Sequence, residues 1–235
     1  MIYHVLPGDA QVKDFRQTGL PGELLVCREA LIDGDISGET LDEFFYNRAA
    51  FHGEDLASYD ANVASQFRRL LDAGPSDEVN LWFEYDLFCA VNMWFCLGLL
   101  SDSDADIYRV APTHLNFEDR WNGFGNTSPE ILKQCFDSRM KLSRSDIELG
   151  AELWNFFRRR DTDELLRLSS RPNAAFPFID EVGRAAAELD TKPSEIIRDI
   201  RRQGKSALKD VLPEFQKRAG VYGFGDTQVK RLMDE

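Results

Sequence analysis

The sequence predicts an α/β fold, with a mostly parallel sheet and flanking helices in the N-terminal half and a helical C-terminal half. Three observations predict it. Short apolar runs alternate with longer helical stretches over residues 1–127, the pattern that buries a parallel sheet between helices. One of these runs, GELLVCR (Gly22–Arg28), is continuously apolar at its centre, as expected of a strand covered on both faces. From Ser128 onward helix start signals recur and strand-like runs stop.

Each element follows from local chemistry. Ile2–Pro7 reads as the first strand. A short helix follows from Asp9 or Ala10 to Gln17, with Val12 and Phe15 on one face and Gly19 as its stop. Gly22–Arg28 is the second strand, and Asp33-Gly34 marks a turn. Helices are expected over Thr40–His52 and Asp55–Ala73, then a third strand over Val79–Phe83. Asp86 is placed to cap the apolar stretch Leu87–Leu100. That stretch contains Asn92 and is shorter than the roughly 20 residues of a membrane span, so it reads as a core helix. Ile107–Ala111 is the fourth strand. The remaining helices are expected over Pro129–Lys141, Ser143–Arg159, Asp161–Ser169, Phe178–Leu189 and Pro193–Gln203. A glycine turn and a short helix starting at Asp226 or Thr227 close the chain. Ser128 before Pro129, and Ser143 three residues before Asp146, are helix N-terminal signatures. The change of character divides the chain into an α/β part, 1–127, and a mainly helical part, 128–235.

Charge follows the same division. The net charge is −13, with 22 acidic against 8 basic residues before Ser128 and 19 against 20 after it. The acidic part repels nucleic acid at long range. The basic stretches FFRRRD (Phe156–Asp161) and IRDIRRQGKSALK (Ile197–Lys209) are the places where a nucleic acid or a protein partner would dock, although solvated helix faces have the same composition. The four cysteines form no CxxC pair and the three histidines do not cluster, which argues against a zinc site. The cysteines read as reduced core residues of a cytoplasmic protein, and the opening residues lack the basic region of a secretory signal. Asp102, Asp104 and Asp106 alternate like a calcium loop without its glycine and distal glutamate, so no metal is expected.

In sheets of this kind ligands bind beyond the carboxyl ends of the strands. Those ends carry Gly8-Asp9, Arg28-Glu29, Glu84–Asp86 and Pro112–Asn116. His4, Asp9 and Asp86 are the candidates for proton transfer. Gly8, Arg28, Glu29 and Asn92 are the candidates for ligand binding: Gly8 opens a helix whose N–H groups attract anions, and Arg28 suits bidentate recognition of phosphate or carboxylate. Each has a plain structural alternative. Asp9 and Asp86 read equally as helix caps, His4 as a hydrogen-bonded core residue, and Asn92 as a buried amide holding a loop. Neither nucleotide-binding glycine fingerprint is present, and the sequence leaves any cofactor unknown. Ala10 occupies the place of a serine nucleophile in the Gly-Asp-Ser start of one esterase superfamily, which excludes that chemistry.

Taken together, YHVLPGD, CREALIDG and LWFEYDLFCAVN resemble a bacterial family known as domain of unknown function eighteen thirty-five. The resemblance rests on His4, Gly8 and Asp9, on Arg28, Glu29, Leu31, Asp33 and Gly34, and on Trp82, Phe83, Asp86, Phe88 and Asn92, over about residues 2–120. Ala10 and Cys27 depart from the residues frequent at those places. The resemblance implies that the strand-end residues form one recurring pattern, and it brings no activity with it. The expectation is an enzyme or binding domain for an anionic small molecule, phosphorylated or nucleotide-like. The alternative is a regulatory protein that contacts nucleic acid or a protein through its helical C-terminal half.

Overall fold

A computed structural model of the protein describes residues 1–125 and 127–234. Asn126, in the expected junction, and Glu235 lie outside them. The sheet has five strands: β1 (Ile2–Leu6), β2 (Glu23–Val26), β3 (Glu78–Trp82), β4 (Asp106–Val110) and β5 (Met140–Lys141). Their spatial order is β2-β1-β3-β4-β5; the first four are parallel, and β5 runs antiparallel to β4. The fold class is therefore α/β, with a mostly parallel sheet in the N-terminal half and helices through the C-terminal half.

Alternation along β1 sets the two layers. Tyr3 and Val5 point into the larger core, while Leu6 points into a smaller one with Phe15, Trp82, Val110, Phe124, Leu132 and Cys135. The smaller core is covered by helices α1 (Val12–Thr18) and, from the second half, α6 (Pro129–Asp137). On the other face lie α2 (Leu41–His52), α3 (Leu56–Tyr59), α4 (Ser65–Leu71) and α5 (Leu87–Leu99), with a π-turn at Asp60–Ala64 between α3 and α4. Helix α5 is apolar all round because the sheet covers one side and α7 (Arg144–Arg158) the other. No helix among the described residues is long and apolar enough to cross a membrane.

The remaining helices are α8 (Thr162–Ser169), α9 (Ile179–Ala187), α10 (Lys192–Arg202), α11 (Leu208–Ala219) and α12 (Asp226–Asp234). The larger core runs without interruption from Tyr3 to Val229, so the change of character near Ser128 is a change of element type within a shared core. Two elements differ from expectation. The helix expected to reach Lys141 ends at Asp137, because Met140 and Lys141 pair with Arg109 and Tyr108 of β4. Helix α11 forms around Pro213, a residue that removes one helical hydrogen bond and so masks the helix in the sequence.

Candidate functional site

The chain leaves β1 toward β2 on one side and reaches β3 on the other, so the strand order reverses between β1 and β3. Crevices at such a reversal, outside the carboxyl ends of the strands, are where open α/β sheets bind ligands. Here the crevice is a cavity of about 350 Å³ lined on one side by Pro7, Gly8, Gln11 and Asp14 and on the other by Glu84, Asp86, Phe88 and Cys89. Phe124, Thr127 and Leu132 complete its apolar wall. A second cavity of about 650 Å³ opens on the far side of Glu84 and Asp86, toward Asp119, Asn122 and Gln216. No lysine or arginine lines either cavity among the described residues.

Glu84 and Asp86 form the wall between the two cavities. Asp86 caps α5, its Oδ1 accepting from the Cys89 N–H at 3.0 Å, and it is only 3% exposed. Glu84 Oε1 accepts from the Phe124 N–H at 2.6 Å. Two Gly-Phe-Gly segments press their backbone against the pair. A Cβ on Gly123 would lie 2.0 Å from the Glu84 carboxylate, and one on Gly223 would lie 2.1 Å from Asp86 Oδ1. Both glycines have positive φ, 62° and 67°, which a side chain would strain.

Among the described residues no lysine or arginine lines the space beside these carboxyl groups, and their proton affinity rises accordingly. Burial, then the charge of Asp86, pushes Glu84 up to about 8. Burial pushes Asp86 up to about 6, opposed by the N–H at its cap and by the hydrogen bond with Glu84. The two titrate as a unit and hold one proton between them at neutral pH. The Cys89 thiol, raised by burial and by both carboxylates, stays protonated beside them. Nearby Arg109 is buried and directs its guanidinium at the backbone carbonyls of Ala175 and Glu84, over the rings of Tyr85 and Phe176. Burial lowers it to about 10. It braces the loop after β3 and hydrogen-bonds neither carboxylate.

Of the seven sequence candidates, the structure brings Gly8 and Asp86 to the crevice. Asp9 caps nothing; Gly8 holds that position, and Asp9 instead forms a bidentate pair with Arg28 at 2.7 and 2.9 Å. The pair is exposed and outside the cavity lining, and Arg28 also binds the Asn62 carbonyl. His4 lies in mid-strand beneath α1 and α6. Its Nδ1 accepts from Trp82 Nε1–H at 3.2 Å and its Nε2 donates to the Pro21 carbonyl at 3.1 Å, so one neutral tautomer uses both nitrogens. Burial lowers its proton affinity, and no nitrogen remains for a substrate.

Glu29 and Asn92 build a separate centre on the larger-core side. The Glu29 carboxylate is fully buried and receives Arg48, Tyr59, His52 and the Ala30 N–H. Burial alone would raise it, but the hydrogen bonds from His52, Arg48 and Tyr59 outweigh burial and hold it at about 2. Asn92 accepts from the Leu31 N–H at 3.2 Å and donates to the Glu29 carbonyl at 2.8 Å. Both residues are consumed in fixing the loop after β2, leaving no free atom for a ligand.

Sequence reasoning gave no role to Glu84, Gln11, Gly123 or Gly223. The available signal was the repeated Gly-Phe-Gly at 123–125 and 223–225, each following an aromatic-containing turn. Comparison with family models, with curated proteins and with solved structures returned no match to this chain.

Proposed function

We propose that the protein binds a small molecule in the crevice between β1 and β3 and acts on it by acid–base chemistry through Glu84 and Asp86. The observation that carries this reading is a pair of neighbouring carboxyl groups, Asp86 buried and Glu84 largely so, with oxygens within 4.8 Å and no lysine or arginine lining the cavities beside them among the described residues, set at the reversal of strand order and open to a cavity. Structural carboxylates are paired with cations, as Glu29 is; leaving two unpaired costs stability, which is characteristic of functional sites. Burial raises the proton affinity of both groups, so near neutral pH the pair shares a proton. The pair can then give a proton to one substrate atom and take one from a neighbouring atom, with no net change. Phe88, Phe124 and Leu132 keep water from the apolar part of the ligand.

The helical half supports this reading over nucleic-acid binding. Its 20 basic residues are accompanied by 19 acidic ones, which leaves little of the net positive field a phosphate backbone needs. Carboxyl-carbon NMR titration tests the pair directly. Glu84 and Asp86 are expected to titrate in two steps near 8 and 6. Ordinary values for both, near 4, would remove the reading.

A further inference from the structure

We propose that helices α10, α11 and α12 form a hinged lid over the crevice. The lid is closed in this structure, and it swings on residues 188–191 to carry the turn at residues 220–225 off Asp86 and admit the ligand. This inference rests on the site proposed above and names how access to it is controlled.

Three observations carry it. The three helices are tied to one another: Arg218 of α11 pairs with Asp199 of α10, Lys205 pairs with Glu214 of α11, and Arg201 of α10 donates to the Met233 carbonyl of α12. The rings of Phe215, Tyr222 and Phe224 gather with centroids 5.6, 5.7 and 6.4 Å apart, so the turn travels with the helices. The links from this unit to the rest of the chain are few. Beyond the short connection to α9, it meets other elements chiefly through the turn Gly220–Tyr222, which packs on α5, α9 and Arg120–Asn122. Among the described residues its polar side-chain links to the sheet half converge on Asp33, which accepts from Gln228 Nε2 at 3.1 Å and pairs with Arg231 at 3.2 Å. Arg231 is half-exposed, and an ion pair so placed breaks and remakes readily. Finally, the cavity of about 650 Å³ lies between the two bodies. Glu84, Asp86 and Trp121 form one wall, and Phe215, Gln216 and Phe224 of the lid form the other.

Gly223 is where the lid meets the carboxyl pair. It lines both cavities, and a Cβ added there would lie 2.1 Å from Asp86 Oδ1 and 3.0 Å from Phe88 Cβ. Asp86 is left 3% exposed, so a ligand that meets it directly needs the space the turn now fills. With the turn withdrawn, Asp86 and the adjoining crevice wall open to solvent and the ligand enters between the two bodies. Closure then places both walls on the ligand and expels water. The ligand touches both walls only in the closed form, and that difference in affinity draws the lid shut. Hinge closure of one body on another around a ligand needs only a few residues at an element end to absorb the rotation, which the connection between α9 and α10 supplies.

Thiol labelling with iodoacetamide, followed cysteine by cysteine by mass spectrometry, tests the lid in the whole protein without denaturant. Cys89 lines the crevice together with Gly223, whereas Cys27 and Cys96 lie in the larger core and Cys135 in the smaller one. Asp33→Ala removes both links of the clasp and leaves the Asp33 carbonyl to Arg48. Gly223→Ala wedges the turn away from Asp86. Cys89 is expected to label faster by about threefold or more in Asp33→Ala and about tenfold or more in Gly223→Ala, with the other three thiols unchanged. Its rate should hold in Arg144→Met, which removes an exposed ion pair of α7. Asp33→Ala decides the matter alone if Gly223→Ala does not fold. Unchanged Cys89 labelling in Asp33→Ala, acceleration of all four thiols together, or equal acceleration in Arg144→Met would overturn the lid. If that happens while Glu84 and Asp86 titrate at raised values, the lid fails and the acid–base reading stands. If Cys89 responds as expected while the pair titrates normally, the lid stands and the acid–base reading fails.

Discussion

Glu29 and Glu84 both follow strands of the same parallel sheet and both lose most of their water, yet they reach opposite ionisation states. Glu29 meets Arg48, Tyr59 and His52 and is held at about 2. Glu84 meets a backbone N–H and another carboxyl group and is held at about 8. Burial raises both; what differs is the company each keeps. Asp86 illustrates how little one cap contributes: its hydrogen bond from Cys89 lowers its proton affinity but leaves it at about 6. A carboxylate with its cation built in is finished as structure. A pair without one remains open to a proton or a ligand.

Arg48→Met is the strongest way to break this contrast, since it leaves Glu29 buried without its cation. A loss of about 3–5 kcal/mol is expected in urea unfolding, the cost of an uncompensated buried charge. A loss under about 1 kcal/mol would mean that Glu29 protonates without consequence and the two centres are alike.

The pH dependence of stability sharpens the contrast at the next level. Between the ordinary glutamate value of 4.5 and about 8, folded Glu84 retains a proton that the unfolded chain has released, so stability falls as pH rises through this window. Glu29 works in the other direction: its contribution is complete above 4.5 and is lost as pH falls toward about 2. Glu84→Gln should flatten the alkaline slope by on the order of 2–3 kcal/mol between pH 5 and pH 8, measured from urea midpoints. An unchanged slope would show that Glu84 is not the group retaining the proton.

The smallest expected effect belongs to Asp9→Ala. The Asp9–Arg28 pair is exposed, and such pairs contribute about 0–1 kcal/mol. Thermal melts should barely move, and ligand binding in the crevice should be unaffected. A binding loss in this variant would extend the site to the β2 side.

The sequence made the sheet legible because β1, β2, β3 and β4 are short apolar runs bounded by turn residues. It also pointed to the edge of the sheet where the cavity lies, since topology places a crevice beyond the strand ends. Which strand-end residues face the crevice was less accessible. Asp9, Arg28 and Glu29 have the composition of a site, but Asp9 and Arg28 are neutralised by each other and Glu29 by Arg48, a residue of α2 not adjacent in sequence. His4 has the right residue type, but strand alternation turns it beneath α1. Glu84 gains its significance from the cation it lacks, which no spacing rule reports. Gly123 and Gly223 matter because their backbones approach carboxyl groups from distant parts of the chain.

That last arrangement bears on when the site comes into being during synthesis. Glu84, Asp86 and the whole of β1 to β4 leave the ribosome well before residues 220–225, which supply the backbone against Asp86. The sheet can therefore be fully paired while one carboxyl group still lies open to water and titrates like any surface acid. Raised proton affinity at Asp86 is then acquired late, by closure of a long chain segment rather than by formation of the sheet. In this order the carboxyl pair acquires its enclosed environment only after residues 220–225 have been made.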